Sequence, residues 1–191
     1  MYETISDITV EKQIGTSFCW AAAAHSVLTY YGIKITQKEI ITGKETSSGG
    51  SPARILEQHG VLKKQVKYPF YPINNAQAGA RAIEVRKMLK EEIRGKRPVI
   101  LGIYNSYDEK SQQHGFDISQ LMPFDFGHCV VAFGYKKENR KFRCLDPGRP
   151  SVNPKGTSDE MVSGWYIYGD HDFAMGRVMV HLRYLFLTQK P

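Results

Sequence analysis

With 191 residues and 41% hydrophobic content, the chain is long enough to bury one sizeable core, so a single domain spanning 1–191 is expected. Its longest apolar runs, PVILGI and CVVAFGY, fall far short of the roughly 20 residues that cross a bilayer, and three cysteines without CxxC spacing exclude a disulfide scaffold and a structural zinc site; a soluble protein in a reducing compartment, with no membrane partner, is expected. The net charge of +7 invites phosphate, but Lys63-Lys64, Lys87-Lys90-Arg94-Lys96 and Lys136-Lys137 are scattered over expected helix faces and hairpin turns, so nucleic acid is not the expected partner.

In chain order, EKQIGTSFCWAAAAHSVLTYYG (residues 11–32) turns from an irregular polar lead-in into an alanine-rich helix at Cys19. Trp20, Ala23, Ala24, Val27, Leu28 and Tyr31 recur at steps of three and four, which gives this helix one apolar face, and Gly32 stops it. A short second helix is expected around TQKEIITG, a third in SPARILEQHG with Ser51 as N-cap and Pro52 in its first turn, and a fourth in ARAIEVRKMLKEEIRG. Gly43, Gly60 and Gly95 mark the C-terminal ends of these three. From Pro98 onward the pattern changes to PVILGIY, HCVVAFGY, KFRCLD, GWYIYG and RVMVHLRYLFL, β-branched and aromatic segments separated by turn signals, which read as an antiparallel sheet. Between its first two strands lies NSYDEKSQQHGFDISQLMPFDFG, a long polar loop of the kind that carries function or closes over a site. The expected fold class is therefore α+β, with residues 1–97 mainly helical and residues 98–191 mainly strand.

Cys19 stands where unpaired backbone N–H groups and aligned peptide dipoles favour an anion, so its thiol is biased toward the nucleophilic thiolate. Taken alone, the same cysteine reads equally well as a small buried apolar residue. A thiolate nucleophile needs a histidine to stabilise it and to protonate a leaving group, and a third group to orient that histidine. His25 lies further along the same helix and cannot fold back on Cys19; His59, His171 and His181 fit core or surface; His114 sits in the long loop. His128, in FGHCVVAFGY, opens an apolar strand after a glycine, and the neighbouring KFRCLDPG ends in Asp146. Side chains on adjacent antiparallel strands share a face only when the register matches their parity. A two-residue turn at Glu138-Asn139 sets Asp146 opposite Val131, on the wrong face, whereas a three-residue loop from Lys137 to Asn139 pairs Asp146 with Val130 and makes it a diagonal same-face neighbour of His128. An odd-length loop or a bulge is thus expected in this hairpin. Asp146 also reads as a turn-starting aspartate in DPGRP, and His128 as a hydrogen-bonded strand-end histidine. Cys129 and Cys144, in mid-strand, are expected to pack in the core, as is Trp165, or else it lines a groove.

These residues resemble the papain-like cysteine proteases. In QIGTSFCWA, a glutamine six residues before the cysteine and an aromatic directly after it match that family's catalytic segment, and the order Cys, His, Asp fits, with Asp146 where papain has an asparagine. SGGSPARILEQHGVLKKQVKYPFYP is similar to papain's succession of paired glycines, proline, helix, glycine and Tyr-Pro. The resemblance implies a helical lobe packed on an antiparallel sheet or barrel lobe with the active site in the cleft between them. It implies catalysis by Cys19, His128 and Asp146, an oxyanion hole from Gln13 and Cys19, and substrate binding by Gly49, Gly50 and Trp20, the glycines admitting an extended peptide backbone. No metal or cofactor enters that mechanism. Within papain-like enzymes, CWAAAAHSVLTYYG with GHCVVAFGY and LDPG is most similar to the avirulence-effector proteases of plant-pathogenic bacteria, which implies secretion into a host cytoplasm and leaves room for a host protein that activates the enzyme. The departures are Thr16-Ser17-Phe18 in place of Cys-Gly-Ser, the missing disulfide cysteines, and no clear copy of the effectors' self-processing motif. Met1 is not followed by a charged and then an apolar region, and a leader removed upstream stays open.

Other classes stay open beside this one. The same triad serves amidases, deamidases and transferases, since fold and nucleophile do not fix the acyl acceptor. A degenerate binding module would be expected to lose Gln13, Cys19 or His128, all of which are present. A nucleic-acid binder would need its lysines on one face among exposed aromatics.

Overall fold

Backbone pairing between segments far apart in sequence organises the computed structural model, which describes residues 2–15, 17–42, 50–68, 75–105, 126–136, 141–148, 157–163, 166–169 and 178–191. The described residues form helices α1 (Cys19–Tyr30), α2 (Gln37–Thr42), α3 (Pro52–Gln58) and α4 (Asn75–Arg94). Their strands are β1 (Tyr2–Thr4), β2 (Leu62–Lys67), β3 (Val99–Asn105), β4 (Phe126–Lys136), β5 (Lys141–Leu145), β6 (Thr157–Ser163), β7 (Tyr166–Gly169) and β8 (Val178–Thr188). The hydrogen-bonded path runs β4-β3-β8-β7-β6-β5, and β5 pairs back with β4, so these antiparallel strands close on themselves; β1 adds to β4 and β2 to β8.

The α+β class is as expected, but the first half of the chain is not all helix. β1 and β2 join the sheet, β6 was hidden in the polar TSDEMVS, and α4 begins at Asn75 rather than at Ala80. The reason is chemical. β2 is LKKQVK, with Lys63, Lys64, Gln65 and Lys67 exposed, and it lacks the β-branched signature because it needs only to pair with β8 and to present lysines at a sheet margin. Local signals held elsewhere. Ser51 Oγ accepts from the Ala53 N–H with Pro52 at the first helical position, and the left-handed φ of Gly32 (82°) and Gly60 (67°) ends α1 and α3. After α4 the left-handed residue is Lys96 rather than Gly95 (φ 57°), and Gly43 lies outside the described residues.

α1 is buried along nearly its whole length. Ala21, Ala22, Ala23 and Ala24 are fully enclosed, and their small side chains let the helix axis approach β4, whose Val130, Val131 and Ala132 are equally buried. That approach places the first turn of α1 against the start of β4. The β4–β5 hairpin carries the slip that parity required: Lys136 pairs with Lys141 and Gly134 with Arg143, but Ala132 pairs with Cys144, so Phe133 is an extra residue on β4. No described helix is long and apolar enough to cross a membrane.

Candidate active site

Cys19 is the first residue of α1, 6% exposed, with no acidic residue in the first turn to compete for the helix's N–H groups. Its Sγ reaches the start of β4, 3.8 Å from the Gly127 carbonyl oxygen, a contact the neutral thiol makes as a donor. This edge of β4 is accessible to Cys19 because β5 pairs only from Val131 onward, while β3 occupies the other edge. His128 and Asp146 are buried polar residues, 5% and 3% exposed, and His128 Nε2 lies 2.7 Å from Asp146 Oδ1. The bulge at Phe133 makes this meeting happen. Val131 faces Leu145, so the next residue, Asp146, falls beside Val130, on the face that His128 shares.

Asp146 also starts a turn, because its Oδ1 accepts the Gly148 N–H at 2.8 Å. The two readings of this aspartate therefore coexist: the turn fixes the carboxylate that orients the imidazole. The Gln13 N–H donates to the Pro147 carbonyl at 3.0 Å, which places Gln13 beside the same turn. A Cβ on Gly148 would sit 3.3 Å from Asp146 Oδ1, 3.7 Å from His128 Cε1 and 3.8 Å from Gln13 Oε1, so this glycine sits where the three converge. Gln13 Nε2 donates to the Gly15 carbonyl at 3.0 Å and keeps its second hydrogen; Oε1 is buried and accepts no hydrogen bond among the described residues.

The charges reinforce one another. The Cys19 thiol is pulled down to about 4, first by a hydrogen bond from the Cys129 thiol, then, against the opposing effect of burial, by the His128 ring and its positive charge. Burial pushes His128 down, but the Asp146 hydrogen bond and the Cys19 thiolate outweigh it and lift the imidazole to about 10. Cys129 moves the other way: its hydrogen bond to Cys19 and its burial hold it well above an ordinary thiol. Of the two thiols, Cys19 is the one that ionises, because it alone has the hydrogen bond and positive charge of His128. Over the neutral range the site is thus a thiolate and imidazolium pair with an aspartate behind the ring.

Gly50 lies against Trp20, the residue after Cys19. A Cβ there would be 2.2 Å from Trp20 Cε2 and 2.6 Å from Nε1, so only glycine fits this close approach. Gly49, His114, His171, Trp165 and the long polar loop 106–125 lie outside the described residues. His25 faces Glu11 at 3.8 Å and Thr29, and His59 caps α3, both away from the Cys19 pair. Cys144 on β5 and Cys129 on β4 are both buried in the core, as expected, and Cys129 in addition touches Cys19. Its adjacency to His128 was the available signal. Strand alternation argued the other way, yet Cys19 lies at the strand's edge and receives both the Cys129 side chain and its N–H. Among the described residues no cluster of three or more His, Cys, Asp or Glu is arranged to hold a metal ion.

The model of the Peptidase_C39 like family matches residues 5–171, a span that includes Gln13, Cys19, His128 and Asp146. No curated protein matches the chain.

Proposed function

The chain belongs to the Peptidase_C39 like family, a cysteine peptidase-like family, and from that premise we propose that it hydrolyses peptide bonds through Cys19, His128 and Asp146. The observation that carries the proposal is the 2.7 Å contact of His128 Nε2 with Asp146 Oδ1 beside a thiol that opens a helix and ionises at about 4.

The Cys19 thiolate attacks the scissile carbonyl carbon, and the oxyanion takes hydrogen bonds from the Cys19 N–H and the remaining N–H of Gln13 Nε2. Asp146 holds Nε2, so Nδ1 carries the proton that passes to the leaving amine as the tetrahedral intermediate collapses to a thioester. Water then attacks the thioester, giving its proton to His128, and the carboxylic product leaves with the thiolate and imidazolium restored. Gly50 and Trp20 form the wall along which an extended peptide lies, and the resemblance assigns Gly49 the same role. Helices α1 to α4 act as one lobe and the closed sheet, which β1 and β2 of residues 1–97 also join, as the other lobe of one papain-like domain over residues 1–191, with this site where the two meet. The finer placement, as a secreted effector acting in a host cytoplasm and assisted there by a host protein, rests on the resemblance of the Cys19 and His128 segments alone.

The test is incubation of the protein and its Cys19→Ala variant with a broad peptide library, reading new termini by mass spectrometry. New termini that depend on Cys19 are the expected result. Termini produced equally by both proteins, or amide side chains converted without backbone cleavage, would replace peptidase with another assignment.

A further inference from the structure

We infer that the segment from Tyr2 to Gln13 is a splint that sets the catalytic register: by holding Phe133 in the β4 bulge, it keeps Asp146 on the His128 face of the β4–β5 hairpin. The inference rests on the reading of Cys19, His128 and Asp146 as the reacting group.

Parity sets the requirement. Lys136 pairs with Lys141, and a regular ladder from that pair would bring Asp146 opposite Val131, with its side chain on the far face from His128. The single extra residue, Phe133, corrects this by one step. An extra residue can be lost if the strand slides flat against its partner, so something must hold it from the other side. The other edge of β4 shows no slip across Phe133. β3 pairs up to Ala132, and β1 takes over with Thr4 opposite Gly134, Glu3 opposite Tyr135 and Tyr2 opposite Lys136. Between the two, the Ile5 N–H donates to the carbonyl of Phe133 itself at 2.7 Å, and Ile5 is buried in the core.

Both ends of the splint are fixed. At the outer end the Tyr135 hydroxyl donates to Glu3 Oε2 at 2.5 Å and accepts from Arg94 Nε at 2.9 Å, while Lys96 Nζ donates to the Thr4 carbonyl at 3.1 Å. At the inner end the Gln13 N–H binds the Pro147 carbonyl, one residue after Asp146. One segment thus grips the bulge and the turn that the bulge positions. Gly134 shows how closely it lies, because a Cβ there would be 2.7 Å from Thr4 Cγ2 and 3.1 Å from the Glu3 carbonyl. Ile5, Thr4 and Gly134 are therefore positioning residues, acting on His128 only through Asp146.

Gly134→Ala tests this, since the added methyl pushes β1 away, and Thr4→Ala removes the atom it strikes. The readout is the pH midpoint of the His128 ring, followed by NMR of the isotope-labelled imidazole and assigned by its absence in His128→Ala, which needs no peptide substrate and is independent of turnover. In the parent protein the midpoint is expected near 10. Asp146→Asn should lower it by about one unit or more, Gly134→Ala should move it in the same direction, and the Gly134→Ala/Thr4→Ala pair should return most of the way. Tyr135→Phe, which keeps the ring and removes the link between Glu3 and Arg94, should give a smaller fall and serves if Gly134→Ala does not fold. If Asp146→Asn moves the midpoint but Gly134→Ala and Tyr135→Phe lower only the melting temperature, the splint is wrong and the triad stands. If Asp146→Asn moves nothing, the triad reading falls and the splint with it.

Discussion

Two buried carboxylates, Glu92 and Asp146, sit at 5% and 3% exposure, and each faces a cation. Glu92 receives Lys63 Nζ at 2.7 Å and Arg97 Nε, tying the end of α4 to β2. Burial opposes its ionisation, but the hydrogen bonds from Arg97 and Lys63 prevail and hold it below its usual range. The Arg97 guanidinium, raised further by Glu92, does not give up its proton in this range, so this pairing moves none near pH 7. Asp146 faces a histidine whose own second neighbour is a thiol, and there one proton is shared between groups that ionise at about 4 and about 10. Burial and pairing alone do not mark a reactive site; a partner that can give up its proton does.

The largest expected effect comes from breaking the Asp146 side of that comparison. Asp146→Ala should lower kcat about a thousand- to ten-thousand-fold, measured by steady-state peptide hydrolysis, with the fold checked by circular dichroism. The pH profile gives the sign. Activity requires thiolate and imidazolium together, so kcat/KM should rise through about pH 4 as Cys19 ionises and fall through about pH 10 as His128 loses its proton. Without Asp146, burial is left to push His128 down with only Cys19 opposing, so the alkaline limb should move toward acid. An unshifted limb would mean that the 2.7 Å contact orients nothing. A smaller loss, about a hundred- to a thousandfold in kcat with little change in KM, is expected of Gln13→Ala, because an oxyanion donor acts in the transition state.

How much of this was legible depended on how local each cause is. α1 and the α3 cap could be read because apolar steps, Ser51 and Pro52 act within a few residues. His128 opening a strand and Asp146 closing the next could be read too, and parity demanded a slip between them. Which slip it is could not be read, since the bulge is held by Ile5, Thr4 and Gly134 from segments over a hundred residues apart. β1 and β2 were hidden for the same reason: short or lysine-rich, they are strands because of β4 and β8 rather than because of their own residues. The Cys129 contact with Cys19 depends on where a helix end meets a strand edge, and its trace in the sequence is the adjacency of Cys129 to His128.

The smallest effect on activity is expected from Glu92, where the comparison is sharpest. Glu92→Gln leaves Lys63 and Arg97 facing a neutral amide, and removing one member of a buried ion pair costs about 3–5 kcal/mol. The lower end applies here, since Lys63 is 41% exposed and water screens part of its charge. Because the carboxyl of Glu92 is held below its ordinary value of 4.5, its contribution is present above that pH and fades as pH falls further, so parent and variant should converge in stability in acid. Chemical denaturation at neutral pH and near pH 3 measures both, and kcat/KM of the folded variant should match the parent. A pH-independent gap would assign the loss to packing, and a shifted activity profile would mean that charge at the α4 terminus reaches the Cys19 pair. Neither is expected, because the Lys63–Glu92–Arg97 group holds charge in place, whereas in the proposed mechanism the Cys19–His128–Asp146 group moves a proton.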